Sequence, residues 1–357
     1  MRWWMLAGLQ YSLSRVPGGV ADYGRLQRRA GGLWDVTASG RFDKVEYFLS
    51  RAREACETLE GRTVVELGTG WIPVLPLAFA AAGCRVFSYD VEPLVEDGVF
   101  RDTKDALLRS LPRYAEAAGQ PERRMRRRLK YLRRATTFSQ ACVAARVHYD
   151  GTADTTNLPH EDESVDLLVT SLVLQCMPIE AVEAVLAESF RLLKPGGYAI
   201  HRIRMTDENA AHDPEKNHFD YLRHSREHYD RWFNTKLKHL NRLRAGQFLA
   251  RMRAAGFNVY KAERKIDKAS LDHVAALDVD AMFAECTSED LATTNLDVVL
   301  EKPVPWAGGT IAGRPDLSGD ASDTRDTARG PVFEEVGKPA DRPPVPDADD
   351  EPIPARR

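Results

Sequence analysis

The stretch Glu66-Leu-Gly-Thr-Gly70 constrains the fold of this chain more than any other. It follows a short apolar run, Thr63-Val-Val, and precedes Trp71-Ile-Pro-Val-Leu-Pro-Leu-Ala-Phe-Ala-Ala-Ala-Gly83. That order reads strand, glycine turn, helix. Glycines at 68 and 70 allow positive φ and let a ligand approach the backbone closely. The helix that follows aims its unpaired N–H groups at the same place. Pro73 suits a first helical turn, where the missing N–H has no helical partner anyway. Such a turn holds a polar small molecule at the carboxyl end of a strand, where open α/β sheets bind ligands.

Two ligand classes use turns of this kind. A dinucleotide fingerprint needs a third glycine or alanine at the position of Pro73, which argues against pyrophosphate and against a dinucleotide-dependent oxidoreductase. Glu66-x-Gly68-x-Gly70 instead resembles the first motif of the class I S-adenosylmethionine-dependent methyltransferases. Three later segments carry that resemblance in the expected order. Cys84-Arg-Val-Phe-Ser-Tyr-Asp90 reads as a second strand ending in an acid, about 20 residues beyond the turn, the spacing of a ribose-binding carboxylate. His148-Tyr-Asp-Gly-Thr-Ala-Asp154-Thr-Thr-Asn-Leu-Pro159 and Glu163-Ser-Val-Asp166-Leu-Leu-Val-Thr-Ser171 look like the family's third and fourth strands. Ser189-Phe-Arg-Leu-Leu-Lys-Pro-Gly-Gly-Tyr198 closes a helix on Pro195-Gly196-Gly197 and opens a fifth strand.

Each piece has a plainer reading when taken alone. Glu66 is then a strand-end acid, Asp90 a turn former, Asp154 a local loop cap and Pro-Gly-Gly a helix stop. Their shared position at the carboxyl ends of successive strands favours the ligand reading. The resemblance implies S-adenosylmethionine as cofactor, held by Glu66, Gly68, Thr69, Gly70, Asp90, Val91, Ala153, Asp154 and Ser171. In the family, the acid matching Asp154 lies beside the adenine amino group. The fold implied is a Rossmann-like α/β sheet of seven mostly parallel strands with helices on both faces and the last strand antiparallel. Strands are expected at 63–67, 84–90, 146–150, 165–170, 198–204, 257–263 and 296–301.

Composition divides the chain into three. Residues 1–60 read as a helical segment, either a lid over the cleft or packing on the flank of the sheet. Residues 61–303 hold the α/β domain. Residues 304–357 contain nine of the 20 prolines, eleven acids, seven bases and almost no aliphatic bulk. Such a tail cannot bury enough surface to offset its ordering entropy, so disorder is expected there. The whole chain carries −3, which gives no case for a nucleic-acid partner. No apolar run reaches about 18 residues, so no membrane span is expected. The start is too short and too aromatic for a signal peptide. Five scattered cysteines with no C-x-x-C pair suggest reduced thiols, a cytoplasmic location and no metal site.

Two insertions remain. Residues 123–134 hold eight bases in twelve positions. They read as a solvated helix face with Met125, Leu129 and Leu132 turned inward, in preference to an anion site. Residues 201–244 hold six of the nine histidines, with Tyr221, Tyr229, Trp232 and Phe233, and end in Asn241-Arg-Leu-Arg244. The family usually builds its acceptor pocket here, and the segment loosely resembles methyltransferases encoded among bacterial surface-glycan genes. That implies a small-molecule or glycan acceptor, with Arg242, Tyr221 and Trp232 as binding residues. His224 and His228 share a helix face but lack a third ligand for a metal. A hydroxyl acceptor benefits from a general base, and His201, then Asp207, are the candidates. After the fourth strand, Thr170-Ser-Leu-Val-Leu-Gln-Cys-Met-Pro178 lacks the motifs of the adenine and C5-cytosine nucleic-acid enzymes. A catalytically silent S-adenosylmethionine-binding protein of the same fold stays open as the alternative. Oligomeric state is not legible.

Overall fold

Residues 3–18, 40–207, 210, 213 and 215–305 are described by the computed structural model. The expectation for the tail therefore lies, beyond its first two residues, outside the described residues. So does His212.

One seven-stranded sheet organises the rest. Its strands are β1 (Thr63–Leu67), β2 (Arg85–Tyr89), β3 (Val147–Asp150), β4 (Val165–Ser171), β5 (Leu193–Arg204), β6 (Asn258–Ile266) and β7 (Thr293–Glu301). They lie in the order β3-β2-β1-β4-β5-β7-β6. All neighbours are parallel except β7, which runs antiparallel to both β5 and β6. The expected architecture is thus the observed one, including the antiparallel last strand. β1 and β4 are buried almost throughout, as central parallel strands covered on both faces must be.

Strand alternation sorts side chains into two cores. Val64, Val86, Leu167, Val169 and Ile200 face one side. There they meet α2 (Gly40–Cys56), α3 (Val74–Ala82), α4 (Asp97–Ala117), α5 (Glu122–Arg128) and α6 (Phe138–Ala145). Val65, Leu168, Ala199, Ile203 and Val298 face the other, against α7 (Ile179–Leu192) and α9 (Ala245–Ala254). Every residue of α3 is buried, so this helix lies within the core and shows no polar face. Gly83 ends it in the left-handed conformation at φ 95°, donating to Ala80 and Phe79 carbonyls.

The N-terminal segment divides. α1 (Trp3–Arg15) stands apart in sequence from α2. Phe42, Val45, Phe48, Leu49 and Ala52 of α2 are buried in the first core, so this helix packs on the flank of the sheet. The basic stretch behaves as an apolar seam with charged surroundings: Met125, Leu129 and Leu132 are buried. The helix is shorter than expected, ending at Arg128, with a separate helical turn at Leu132–Arg134.

The Pro-Gly-Gly stretch departs from expectation. α7 already ends at Leu192, and Pro195-Gly196-Gly197 lies inside β5. Gly196 has φ 76° and donates to the Lys302 carbonyl at 2.8 Å. A Cβ at Gly197 would come within 2.8 Å of the Lys194 carbonyl. These glycines let two backbones approach at the start of the strand; they do not stop the helix.

A third, smaller core joins the insertion after β5 to the segment between β6 and β7. Phe219, Tyr221, Leu222, Tyr229 and Leu240 come from the segment after β5, and Val274, Phe283 and Leu291 from the segment between β6 and β7. The insertion after β5 includes α8 (Arg226–Trp232); the segment between β6 and β7 includes α10 (Leu271–Ala275) and α11 (Ser288–Leu291).

Candidate functional site

The chain turns in opposite directions along the sheet from β1 and β4, so their carboxyl ends diverge into a crevice. A cavity of about 790 Å³ opens there. The glycine turn forms its floor. Gly68 and Gly70 have φ of 79° and 65°. A Cβ at Gly68 would overlap Val173, whereas one at Gly70 would meet nothing within 4 Å. Gly68 is therefore required for loop packing, and Gly70 leaves open space where a ligand can lie against the backbone.

Two carboxylates define the chemistry of this end. Asp90 accepts the Gly70 N–H at 2.7 Å and the Val91 N–H at 2.8 Å, so it ties the β2 loop to the glycine turn. Glu66 is buried beneath the turn and accepts from the Ser88 hydroxyl at 2.6 Å, which lies 2.5 Å from the Thr69 hydroxyl. Burial pushes the Glu66 carboxyl up to about 7, with Ser88 pulling the other way. Its charge is therefore poised to follow what binds beside it. Ile72, Leu75, Val91 and Leu94 supply apolar wall, and the buried Ser171 hydroxyl has no partner among the described residues. This donor set fits a ligand with cationic, hydroxyl-bearing and flat apolar parts.

The other candidates fare unequally. Ala153 reaches the site through its backbone, donating to the Asp90 carbonyl at 2.9 Å. Asp154 is exposed and turned into its own loop, accepting from the Thr156 N–H at 2.9 Å and hydroxyl at 2.6 Å. Those two bonds lower its pKa. Its neighbour Thr155 lines the cavity.

Asp207 lies in the cavity wall at the far end, with the Lys238 ammonium 3.3 Å from its carboxylate. His201 does not reach the cavity. It points into the second core from mid-strand, fully buried, its Nδ1 2.8 Å from the Thr170 hydroxyl. Desolvation pushes its pKa down to about 3. A ring that weakly basic and walled off from solvent cannot collect a substrate proton near neutrality, which corrects the first choice of base.

The three acceptor-binding candidates are also drawn elsewhere. Arg242 is buried in the third core with φ 64°, donating to the His224 carbonyl at 2.6 Å, its guanidinium 4.7 Å over the Tyr229 ring. Tyr221 donates to the Met205 carbonyl at 2.9 Å and accepts from Arg244 at 2.8 Å. Trp232 is half exposed and packs on Tyr11 of α1, ring centroids 5.3 Å apart. The Asn-Arg-Leu-Arg signature acts as a staple. Asn241 donates to the Leu174 and Met177 carbonyls at 2.7 and 3.0 Å, fixing the loop after β4 that carries Cys176 and Met177 into the cavity.

Sequence reasoning missed Lys44, Arg204, Thr206, Cys176 and His218, all in the cavity wall. Arg204 had a signal: it shares strand parity with Ile200 and Arg202 at the carboxyl end of β5. Lys44 had none, since only tertiary packing brings the start of α2 to the edge of the cleft.

Residues 126–201 match the family model described as a methyltransferase domain. A 48-residue stretch is 44% identical to an uncharacterized protein of Haemophilus influenzae, covering 13% of this chain and 19% of that protein. The chain thus matches about a fifth of that relative's length. Among solved structures, an S-adenosylmethionine-dependent methyltransferase from Mesorhizobium loti is 16% identical, with 72% of this chain and 97% of that chain covered and a TM-score of 0.38. One from Methanosarcina mazei is 14% identical, covering 69% and 94%, TM-score 0.37. A protein of Pyrococcus horikoshii is 12% identical, covering 75% and 93%, TM-score 0.43.

Proposed function

We propose that this chain, which carries a methyltransferase domain of the class I, S-adenosylmethionine-dependent kind, methylates a hydroxyl or amine of a small-molecule or glycan acceptor. The observation that supports this reading best is the cleft itself. One end offers Glu66, Asp90 and the glycine turn; the other offers Asp207 on the wall of the acceptor insertion. S-adenosylmethionine supplies a methyl on a cationic sulfur, which leaves as a neutral thioether.

The protein's part is alignment, exclusion of water and proton removal. Glu66 and Asp90 receive cationic and hydroxyl groups of the cofactor, with Gly68, Thr69, Gly70, Val91, Ala153 and Ser171 shaping its bed. Asp154, held by Thr156, serves the cofactor chiefly by fixing the loop of Thr155. Val173 and Met177 keep the reacting centre dry. Asp207 accepts the proton of an acceptor hydroxyl, and Lys238 beside it holds the carboxylate in place. The five cysteines are free thiols. Among the described residues no helix is long and apolar enough to cross a membrane.

Two measurements follow. Asp90→Ala removes an acceptor for ribose hydroxyls and the tie to Gly70, so S-adenosylmethionine should bind about 1–3 kcal/mol more weakly by calorimetry. Unchanged affinity would reject Asp90 as a ligand. The second concerns pH. Glu66 in the folded protein holds a proton between its ordinary 4.5 and about 7, so unliganded stability falls as pH rises through that window. A cationic ligand prefers the ionised form. Affinity should therefore climb as pH rises toward 7, by up to about tenfold per unit for one linked proton. Glu66→Gln should flatten both profiles; a slope that survives the substitution assigns the linkage to another group.

A further inference from the structure

We propose that α4, α5 and the helical turn after them form a docking face for anionic lipid membranes, with Arg109, Arg126 and Arg133 enclosing a lipid phosphate. Residues 121–149 hold nine bases and one acid, Glu122, in a chain whose total is −3. Protein partners take up only three of these bases. Arg124 and Arg128 donate to Glu60 at 2.6 and 3.0 Å, and Arg126 donates to Glu122 at 2.9 Å. Arg123, Arg127, Lys130, Arg133 and Arg134 are exposed and have no carboxylate partner among the described residues; nor does Arg109 of α4. Every residue from 97 to 150 is described, and none of these cations lines the cleft.

A pocket of about 480 Å³ opens between these elements, lined by Asp105, Leu108 and Arg109 of α4, Arg126 of α5 and Arg133 of the turn. Asp105 is the one acid in that lining, against three guanidinium groups whose planar forks match phosphate oxygens. Arg123 lies three and four positions before Arg126 and Arg127, so the three share a helix face and extend the charge beyond the pocket. A cluster of this size on a helix surface attracts the phosphates of an anionic bilayer. Tyr131, 56% exposed, suits the bilayer interface. Its ring carries the Lys130 ammonium 4.5 Å from the centroid, so it offers no free platform for stacking a nucleic-acid base. Met125, Leu129 and Leu132 are buried, which leaves α5 no apolar side to insert. Docking is therefore electrostatic, and salt releases it.

The test is co-sedimentation of the full chain with vesicles of phosphatidylcholine alone and of phosphatidylcholine with one-third phosphatidylglycerol. The protein should sediment with the anionic vesicles, stay in solution with the neutral ones, and be released by rising salt. Arg109→Gln with Arg133→Gln should weaken the partition at least tenfold, and Arg123→Gln with Arg127→Gln likewise, with melting temperature unchanged, since all four side chains are exposed and unpaired. Arg253→Gln with Lys265→Gln removes the same charge from α9 and β6 at the opposite edge of the sheet and should change partition less than threefold. Equal binding to both vesicle types, none to either, full partition in both face variants, or an equal loss in the control pair would overturn the proposal. Single-stranded RNA that displaces the protein from vesicles at equal phosphate concentration would overturn it too and assign the face to nucleic acid.

Discussion

Arg244→Ala should destabilise the protein by about 3–5 kcal/mol, or prevent folding altogether. Arg244 is fully buried. Its guanidinium donates to the carbonyls of Met205 at 2.8 Å, Asp290 at 3.0 Å, Leu291 at 2.8 Å and Thr293 at 2.5 Å, and to the Tyr221 hydroxyl at 2.8 Å. Two of those carbonyls end α11, so the charge also meets the negative end of a helix. Truncation takes a donor from four buried carbonyls, of which that of Met205 keeps the Tyr221 hydroxyl, and leaves a void where three chain segments converge. Thermal unfolding should shift by on the order of 10 °C. Arg244→Lys should recover only part, since an ammonium cannot span the same fork. A variant that melts with the wild type would show that the network contributes nothing net.

Asp207→Asn should lower turnover on a hydroxyl acceptor by about 10²–10⁴ while S-adenosylmethionine binding stays as it was. The amide keeps the shape and still accepts from Lys238, but it cannot take up a proton. His201→Gln should leave the pH–rate profile unchanged, because the ring lies in the core and stays neutral well below neutrality. Full turnover in the Asp207 variant points to an amine acceptor or to proton transfer straight to solvent. A lost ascending limb in the His201 variant would contradict its placement.

Most of the sheet was legible because parallel βα units announce themselves locally. A helix followed by a left-handed glycine and then a strand recurs at Gly83 and Gly256, and the strand ends fell within a few residues of expectation. β5 is the exception, starting five residues early, since Pro-Gly-Gly looks like a helix stop unless Lys302 is known to lie beside it. The glycine-turn end of the site was legible for the same reason: Glu66, Gly68, Gly70 and Asp90 sit at fixed offsets from strands. The acceptor end was not. Arg242, Tyr221 and His201 are polar or aromatic residues of the type that bind substrates, yet tertiary packing turns them inward. Lys238 looks ordinary in sequence and reaches Asp207 only when the insertion folds back on β5. Asp154 shows the limit of a motif: the residue is where the resemblance puts it, while its carboxylate closes a turn with Thr156.

On the proposed reading, this cleft binds S-adenosylmethionine through the glycine turn and Asp90. Calorimetric titration of the full chain with S-adenosylmethionine, S-adenosylhomocysteine and NAD tests it most directly. Both sulfur compounds should bind one-to-one, more weakly in Asp90→Ala, and NAD should not bind. Saturable NAD binding with none of S-adenosylmethionine would contradict it.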